Sequence, residues 1–330
     1  MILIRDTTSD LARRLTAHGS VATIGNFDGV HLGHQALLKR VIDRAEAFAG
    51  AARIAIVFEP QPKEFFEGPR APGRIMDLRE KFQAMQGFDL DCLYCLPFNR
   101  SLQQRSANDF VSDVLVKGLG LKYLVIGDDF RYGSDRAGSF SHLASYGQKA
   151  LYPDGSGFGV EASETITHAG QRVSSTRIRS LFANGQLDAA AALLGRSYRK
   201  LGRVSFGRQL GRTIGAPTAN IVLQKRPALT GVFCTRVRLP DSATWHAAVA
   251  NIGSRPTVDK ARADGAQHYY LEVHLLDWTG DLYGKMIEVE FCKKLRSEAA
   301  FDSIEQLKQQ IALDIASAKA YWKQAANCYE

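Results

Sequence analysis

Cysteine is scarce and odd in number: Cys92, Cys95, Cys234, Cys292 and Cys328 are the only five in 330 residues. Such a scattered set fits neither a disulfide framework nor a pair of zinc knuckles. The one CxxC, Cys92 and Cys95, sits inside the apolar run CLYCLPF and reads as buried strand. Long hydrophobic runs are missing too. The longest, Ala189 to Leu194, falls far short of the roughly 20 residues that span a bilayer, so no membrane partner is expected. The opening MILIRDTTSD carries acids and lacks an apolar segment with a small-residue cleavage site, so the chain reads as cytoplasmic. Repeats and low-complexity segments are also lacking. With 45% apolar and 23% charged residues, disorder, collagen and coiled coil are excluded. What remains is a globular chain long enough for two units at about 100 to 200 residues each.

Acid is absent from one stretch. Between Asp188 and Asp241 there are ten Lys or Arg and no Asp or Glu. Residues 1–182 carry 22 basic and 20 acidic side chains, net +2, while 183–330 carry 20 and 14, net +6. The basic stretch suits either a nucleic-acid face or a polyanionic small molecule, and charge alone does not choose.

The first half alternates short apolar runs with helical patterns. SVATIG (20–25), RIAIVFEP (53–60), DCLYCLP (91–97) and LKYLVIGDDF (121–130) read as buried strands. GHQALLKRVIDRAEAFAG (33–50) and SANDFVSDVLVKGLG (106–120) read as helices, the latter opened by Ser106 or Asn108. This β-α-β-α series predicts a parallel, Rossmann-like α/β sheet over residues 1–182, with ligands at the carboxyl ends of its strands. After two short helices the texture changes to alternating strands broken by Gly, Pro and Asn. TGVFCTRVRLP, WHAAVANIG, YYLEVHLLD and KMIEVEFCKKL predict an antiparallel β-barrel over 183–330. A C-terminal helix with Ile304, Leu307, Ile311, Ile315 and Ala318 on one face is expected to cover it.

The first strand of chemical interest runs into GNFDGVHLGHQ (25–35) and then a helix. His31 and His34 flank Gly33 at the helix start, where free N–H groups and the positive dipole end favour a phosphate. Two imidazoles there can donate to phosphoryl oxygens, and Gly33 leaves room for a nucleotide. A single histidine such as His18 or His142 reads as a surface or capping residue. H-x-G-H after a strand, preceded by Asn26 and Asp28, is far more specific.

These residues resemble the HxGH nucleotidyltransferases. GNFDGVHLGH, FEPQPKEFF (58–66), GDDFRYG (127–133) and SSTRIR (174–179), in that order, look like the FMN adenylyltransferase module of bacterial bifunctional riboflavin kinase/FAD synthetases. The resemblance implies transfer of AMP from ATP to FMN, making FAD and releasing pyrophosphate. By the same resemblance His31 and His34 act on the ATP phosphates, with Asn26, Asp28 and Gly33 lining that loop. Ser175, Thr176 and Arg177 would bind ATP's distal phosphates. Ser175 as an N-cap beside a guanidinium makes an anion cradle, although SSTRIR alone reads equally as a capped surface helix. Asp128, Asp129, Phe130 and Arg131 end a strand where a flavin or metal would be held, and otherwise form an acidic turn. Where many members read F-E-P-H-P, this chain has Gln61, which cannot carry charge.

In the second half GRVSFGRQLGRTIGAPTANI (202–221) spaces glycines at 202, 207, 211 and 215. It is neither a Walker A loop nor GxGxxG, and alone it reads as a basic hairpin. A flap containing Gly207 and Arg208 could close over a triphosphate, with Thr218 and Asn220 holding Mg2+. PTAN, GVF (231–233), NIGSRPT (251–257) and LEVHLLD (271–277) resemble the riboflavin kinase module of the same enzymes. That resemblance makes Glu272 the general base for the riboflavin 5'-hydroxyl as it attacks the γ-phosphorus of ATP. Strand alternation puts Glu272 opposite Leu271, Val273 and Leu275.

The expectation is thus a bifunctional enzyme acting on riboflavin, FMN and ATP, with no nucleic acid as partner and an oligomeric state that cannot be read. One rival is a single adenylyltransferase with a regulatory barrel. The other is an RNA-binding protein on a synthetase-like core, against which stand the absence of a KMSKS-like loop and an RNP-type aromatic motif.

Overall fold

The computed structural model describes residues 1–205, 218–255 and 268–327. The chain divides into two compact units: 1–72 with 78–174, and 73–77 with 175–330.

In the first unit six strands form one parallel sheet: β1 (Ile2–Ile4), β2 (Ser20–Ile24), β3 (Ala52–Glu59), β4 (Cys92–Pro97), β5 (Leu121–Gly127) and β6 (Gly159–Ser163). Their order is β1-β4-β3-β2-β5-β6. β2, β3 and β4 are buried nearly throughout, because a parallel sheet is covered on both faces and its strands read as continuous apolar runs. The helices are α1 (Asp10–Leu15), α2 (Leu32–Ala45), α3 (Pro62–Glu67), α4 (Leu78–Met85), α5 (Arg100–Gln104), α6 (Ala107–Asp109) and α7 (Phe140–Gly147). α6 runs on as a π-helical segment, Phe110–Lys117, whose Phe110, Val111, Val114 and Leu115 enter the core. Ser106 is its cap, accepting from the Asp109 N–H. The CxxC thiols are buried in β4, and burial pushes the Cys92 thiol up to about 12, so it is inert packing material.

Ion pairs pin the rim of this sheet. Arg53 on β3 grips Asp91 at 2.8 Å and also pairs with Asp89. Hydrogen bonds from Arg53 hold the Asp91 carboxyl below the usual range, against the opposing effect of its burial. Glu161 on β6 takes Arg40 and Arg44 from α2 and accepts from the Tyr123 hydroxyl at 3.0 Å. A two-stranded hairpin, β7 (Thr167–His168) with β8 (Gln171–Arg172), precedes the second unit.

The second unit opens with α8 (Ser175–Ala183) and α9 (Leu187–Leu194), the latter stopped by Gly195 in the left-handed region at φ 70°. Six strands then close a barrel: β9 (Arg199–Ser205), β10 (Ala219–Leu223), β11 (Gly231–Arg238), β12 (His246–Arg255), β13 (His268–Leu275) and β14 (Met286–Arg296). All six neighbouring pairs are antiparallel. Phe233, Val237, Ala250, Ile252, Leu271 and Val273 fill the interior and are almost wholly buried. On the outside Arg199, Arg236 and Arg238 interleave with Glu288 and Glu290, and Trp245 lies over all three guanidiniums.

The terminal helix α10 (Ile304–Asn327) docks on the outer face of β11, β12 and β14, but not along the whole expected stripe. Ile315, Ala318, Tyr321 and Trp322 pack against Val232, Cys234, Val249 and Leu276. Ile304, by contrast, is 64% exposed and Leu307 36%. Asp314, a residue the apolar pattern skips, is buried because Arg296 grips it through both nitrogens at 2.8 to 3.1 Å. That ion pair centres the docking on the later turns.

Candidate active sites

In the first unit β2 lies between β3 and β5, so the chain leaves β2 toward one side and later returns on the other. A crevice forms outside the strand ends at such a switch point. Loop 25–31 follows β2 and loop 128–133 follows β5, so two of the four sequence motifs flank this crevice.

Loop 25–31 is backbone-strained. Phe27 (φ 48°), Gly29 (φ 92°) and Val30 (φ 41°) all occupy the left-handed region. For a β-branched valine this costs on the order of 1 to 3 kcal/mol, and it persists only where surroundings over-determine it. Phe27 and Val30 are wholly buried, the Val30 carbonyl accepts from Gln35 Nε2 at 2.9 Å, and the Val30 N–H donates to Phe27. The strain delivers His31 to the N-cap of α2, where Nδ1 accepts from the His34 N–H at 3.4 Å. A neutral His31 therefore carries its proton on Nε2, as a donor. The two imidazoles stack with centroids 3.6 Å apart and planes 15° from parallel. A Cβ on Gly33 would stand 3.3 Å from the His31 ring, so glycine keeps the rings undisturbed. Asn26 is exposed beside this start, and Asp28 is buried beneath it.

Across the crevice, Asp128 accepts from the Thr165 hydroxyl at 2.6 Å and from Arg172 at 2.9 Å; Arg172 also reaches Asp129 at 3.4 Å. The Thr165 hydrogen bond and then the Arg172 charge hold Asp128 below the usual carboxylate range, outweighing its partial burial. Phe130 stacks on Tyr132, and exposed Arg131 turns back to the Phe130 carbonyl at 3.1 Å. Gln61 caps α3 and is 7% exposed; its Nε2 finds no hydrogen-bond partner among the described residues. Ser175, Thr176 and Arg177 form the first turn of α8; Ser175 is already helical, which moves the N-cap position to Ser174. His142 is half-buried on α7, whose cap is Ser139, and Tyr132 and Asn108 engage its two ring nitrogens.

In the second unit the register assembles what the sequence separates. Asn220 on β10 stands opposite Glu272 on β13, and Glu272 stands opposite Asn251 on β12. Directly opposite residues share a face, so Asn220, Glu272 and Asn251 make one row. The row faces outward, as alternation predicts, since Leu271 and Val273 are fully buried on the other side. Asn220 Nδ2 donates to the Thr218 carbonyl at 3.1 Å and hydroxyl at 3.3 Å, tying the two together. Gly207 and Arg208 lie outside the described residues. Sequence reasoning passed over Asn251, although its motif was in hand, because only register shows that it flanks Glu272. Glu298 also approaches this strand, a contact that no local pattern signals. The Glu298 carboxylate covers Gly253, where a Cβ would come within 1.9 Å of Oε1, and burial raises its pKa.

A phosphate-ready helix start at the switch point of a parallel sheet, followed by a barrel presenting a Thr/Asn/Glu row, defines a two-module nucleotide-dependent transferase. Family profiles agree unit by unit: FAD synthetase matches residues 14–177 and riboflavin kinase matches 194–322. The chain belongs to the bifunctional riboflavin kinase/FMN adenylyltransferase family. It is 47% identical over 303 residues to such an enzyme of Pseudomonas fluorescens, covering 92% of this chain and 93% of that one. It is 41% identical over 305 residues to those of Haemophilus influenzae and Escherichia coli K12, covering 92% of this chain and 94% and 93% of theirs. A solved structure described as a macrolide-efflux protein from Streptococcus pneumoniae superposes with a TM-score of 0.71 at 27% identity, covering 96% of this chain and 98% of that one. Among the described residues no helix is long and apolar enough to cross a membrane. The chain accordingly has riboflavin kinase and FMN adenylyltransferase activities, with riboflavin, FMN and ATP as substrates.

Proposed function

We propose that residues 183–330 phosphorylate riboflavin and residues 1–182 adenylylate the FMN so formed, in the cytoplasm. What supports this division is that each unit holds a reactive arrangement of its own: stacked His31 and His34 at a helix start in one, the Asn220–Glu272–Asn251 row in the other.

In the kinase reaction the Glu272 carboxylate accepts the proton of the riboflavin 5'-hydroxyl as that oxygen attacks the γ-phosphorus of ATP and ADP leaves. Thr218 and Asn220 offer neutral oxygens, a set too weakly charged to hold a dication alone but suited to Mg2+ that arrives with phosphates. Among the described residues no group of three His, Cys, Asp or Glu competes for that role. Mg2+ held by Thr218 and Asn220 would supply charge neutralisation to the phosphates. For Gly207 and Arg208, which lie outside the described residues, ATP binding rests on motif resemblance alone.

In the adenylyl transfer an FMN phosphate oxygen attacks the α-phosphorus of ATP and pyrophosphate leaves. His31, His34 and the first N–H groups of α2 stabilise the growing negative charge, while Gly33 gives the phosphates access. Asn26 and Asp28 shape the same loop. For Ser175, Thr176 and Arg177, on the first turn of α8 in the second unit, ATP binding rests on motif resemblance alone. Asp128, Asp129, Phe130 and Arg131 hold the flavin side.

Chromatography of riboflavin, ATP and Mg2+ with the enzyme should show FMN rising first and FAD following. Glu272→Ala should lose at least about a hundredfold in FMN formation while still converting supplied FMN, and His31→Ala should do the reverse. Kinase activity surviving in Glu272→Ala removes that residue from its role.

A further inference from the structure

His142 reads from the sequence as a surface or capping residue, and the structure gives it more to do. It sits on the first turn of α7, with Ser139 as cap accepting from its backbone N–H. Its Nδ1 meets the Tyr132 hydroxyl and its Nε2 meets Asn108 Oδ1 at 2.9 Å. Since Asn108 Oδ1 can only accept, Nε2 carries the proton and Nδ1 accepts from Tyr132, so one tautomer satisfies the whole chain.

This chain of contacts immobilises an aromatic stack. Tyr132 is 6% exposed and stacks on Phe130 at 5.6 Å with planes 14° apart. Phe110 tilts against it at 5.4 Å. Gly138 lies so close to the Tyr132 ring that a Cβ there would stand 2.5 Å from ring carbons, and the two residues exchange backbone hydrogen bonds. Phe130, half-buried, is the member nearest the loop end at the switch point. Tyr132 is thus held by packing, by backbone and at its hydroxyl, and it passes that placement to Phe130.

We propose that His142, relayed by Asn108, is a positioning residue for the flavin of FMN: it fixes Tyr132 and thereby the Phe130 surface on which a planar ring system stacks. This rests on the reading that residues 128–131 hold the flavin. The interaction sets ring placement and not phosphate chemistry, so it should appear in FMN affinity.

The test is steady-state adenylyl transfer by the full chain, varying FMN and ATP separately, with riboflavin phosphorylation by the same preparation as control. His142→Leu should raise KM for FMN about three- to tenfold, the loss expected for one hydrogen bond, with kcat, KM for ATP and kinase activity unchanged. Tyr132→Phe removes only the hydroxyl and should give the same rise. Combining the two should add no more than about twofold, because both break one link. His142→Gln keeps one acceptor and one donor and should restore KM. An unchanged KM for FMN in both His142→Leu and Tyr132→Phe, alongside a raised one in Phe130→Ala, overturns the tether but keeps the flavin reading. An unchanged KM in Phe130→Ala overturns that reading itself.

Discussion

The α/β unit builds its candidate site along the chain, and the barrel unit builds its own across the chain. His31, Gly33 and His34 share one helical turn, and much of what that turn offers a ligand is backbone: N–H groups, a dipole and a strained loop. Asn220, Asn251 and Glu272 come from three strands, and what they offer is side chains brought level by register. A parallel sheet leaves its functional groups to the loops at strand ends, whereas an antiparallel barrel can place them on the strands. The first site should therefore be sensitive to backbone shape, the second to whatever holds the barrel's strands and outer face.

The largest effect that separates the two units comes from Asp314→Ala. It removes a buried carboxylate held by Arg296, whose side chain is 24% exposed, at a cost of about 1.5 to 3 kcal/mol for the lost charged hydrogen bonds. Trp245, Trp278 and Trp322, the only tryptophans, all lie in the barrel unit, so their fluorescence reports it alone. Their urea transition should move well down while adenylyl transfer by the α/β unit survives at intermediate urea. Simultaneous loss would show that the units do not unfold separately.

A second contrast uses two glycines. Gly33→Ala presses a methyl against the His31 ring, and adenylyl transfer should fall about tenfold with kinase activity intact. Gly253→Ala displaces the Glu298 carboxylate and should alter only riboflavin phosphorylation. Each is read by single-reaction assays on one preparation.

Acid provides a third, smaller distinction. Arg53 lowers the Asp91 pKa in the folded α/β unit, so the stability this carboxylate supplies is complete above the ordinary carboxylate value near pH 4. It drains away as pH falls through the lower folded value. Asp91→Asn should flatten that acid limb in circular-dichroism melts of the α/β unit; an unchanged limb would mean that other carboxylates control it. The smallest effect belongs to Lys39→Ala, which removes an exposed pair with Asp43 on α2 and should change stability by less than about 0.5 kcal/mol.

How legible each part was follows the same division. The strands of the α/β unit were readable because doubly covered strands are apolar runs, and GNFDGVHLGH stood out because its candidate residues share one turn of chain. Glu272 was placed correctly on its face by alternation. Its neighbour Asn251 needed the β12–β13 register, and Glu298 needed the turn after β14 to fold back onto Gly253. His142 read as incidental, since its meaning depends on Tyr132 and Asn108, which precede it in the chain and meet it only in the fold. The stripe on α10 misled at Ile304 and Leu307, because periodicity identifies a face and not how much of it is covered.

By itself the sequence determined two kinds of unit, their order and the H-x-G-H helix start, because periodicity, glycine placement and short motifs act within one or two turns of chain; the pair of reactions came from the ordered motifs' resemblance to a family. The tertiary structure alone decided which polar residues stand level with Glu272, that Asp314 anchors the last helix, and that His142 steadies an aromatic surface. Those facts depend on register and on side chains meeting over long separations, where the energy of a contact is fixed by geometry that no local pattern encodes.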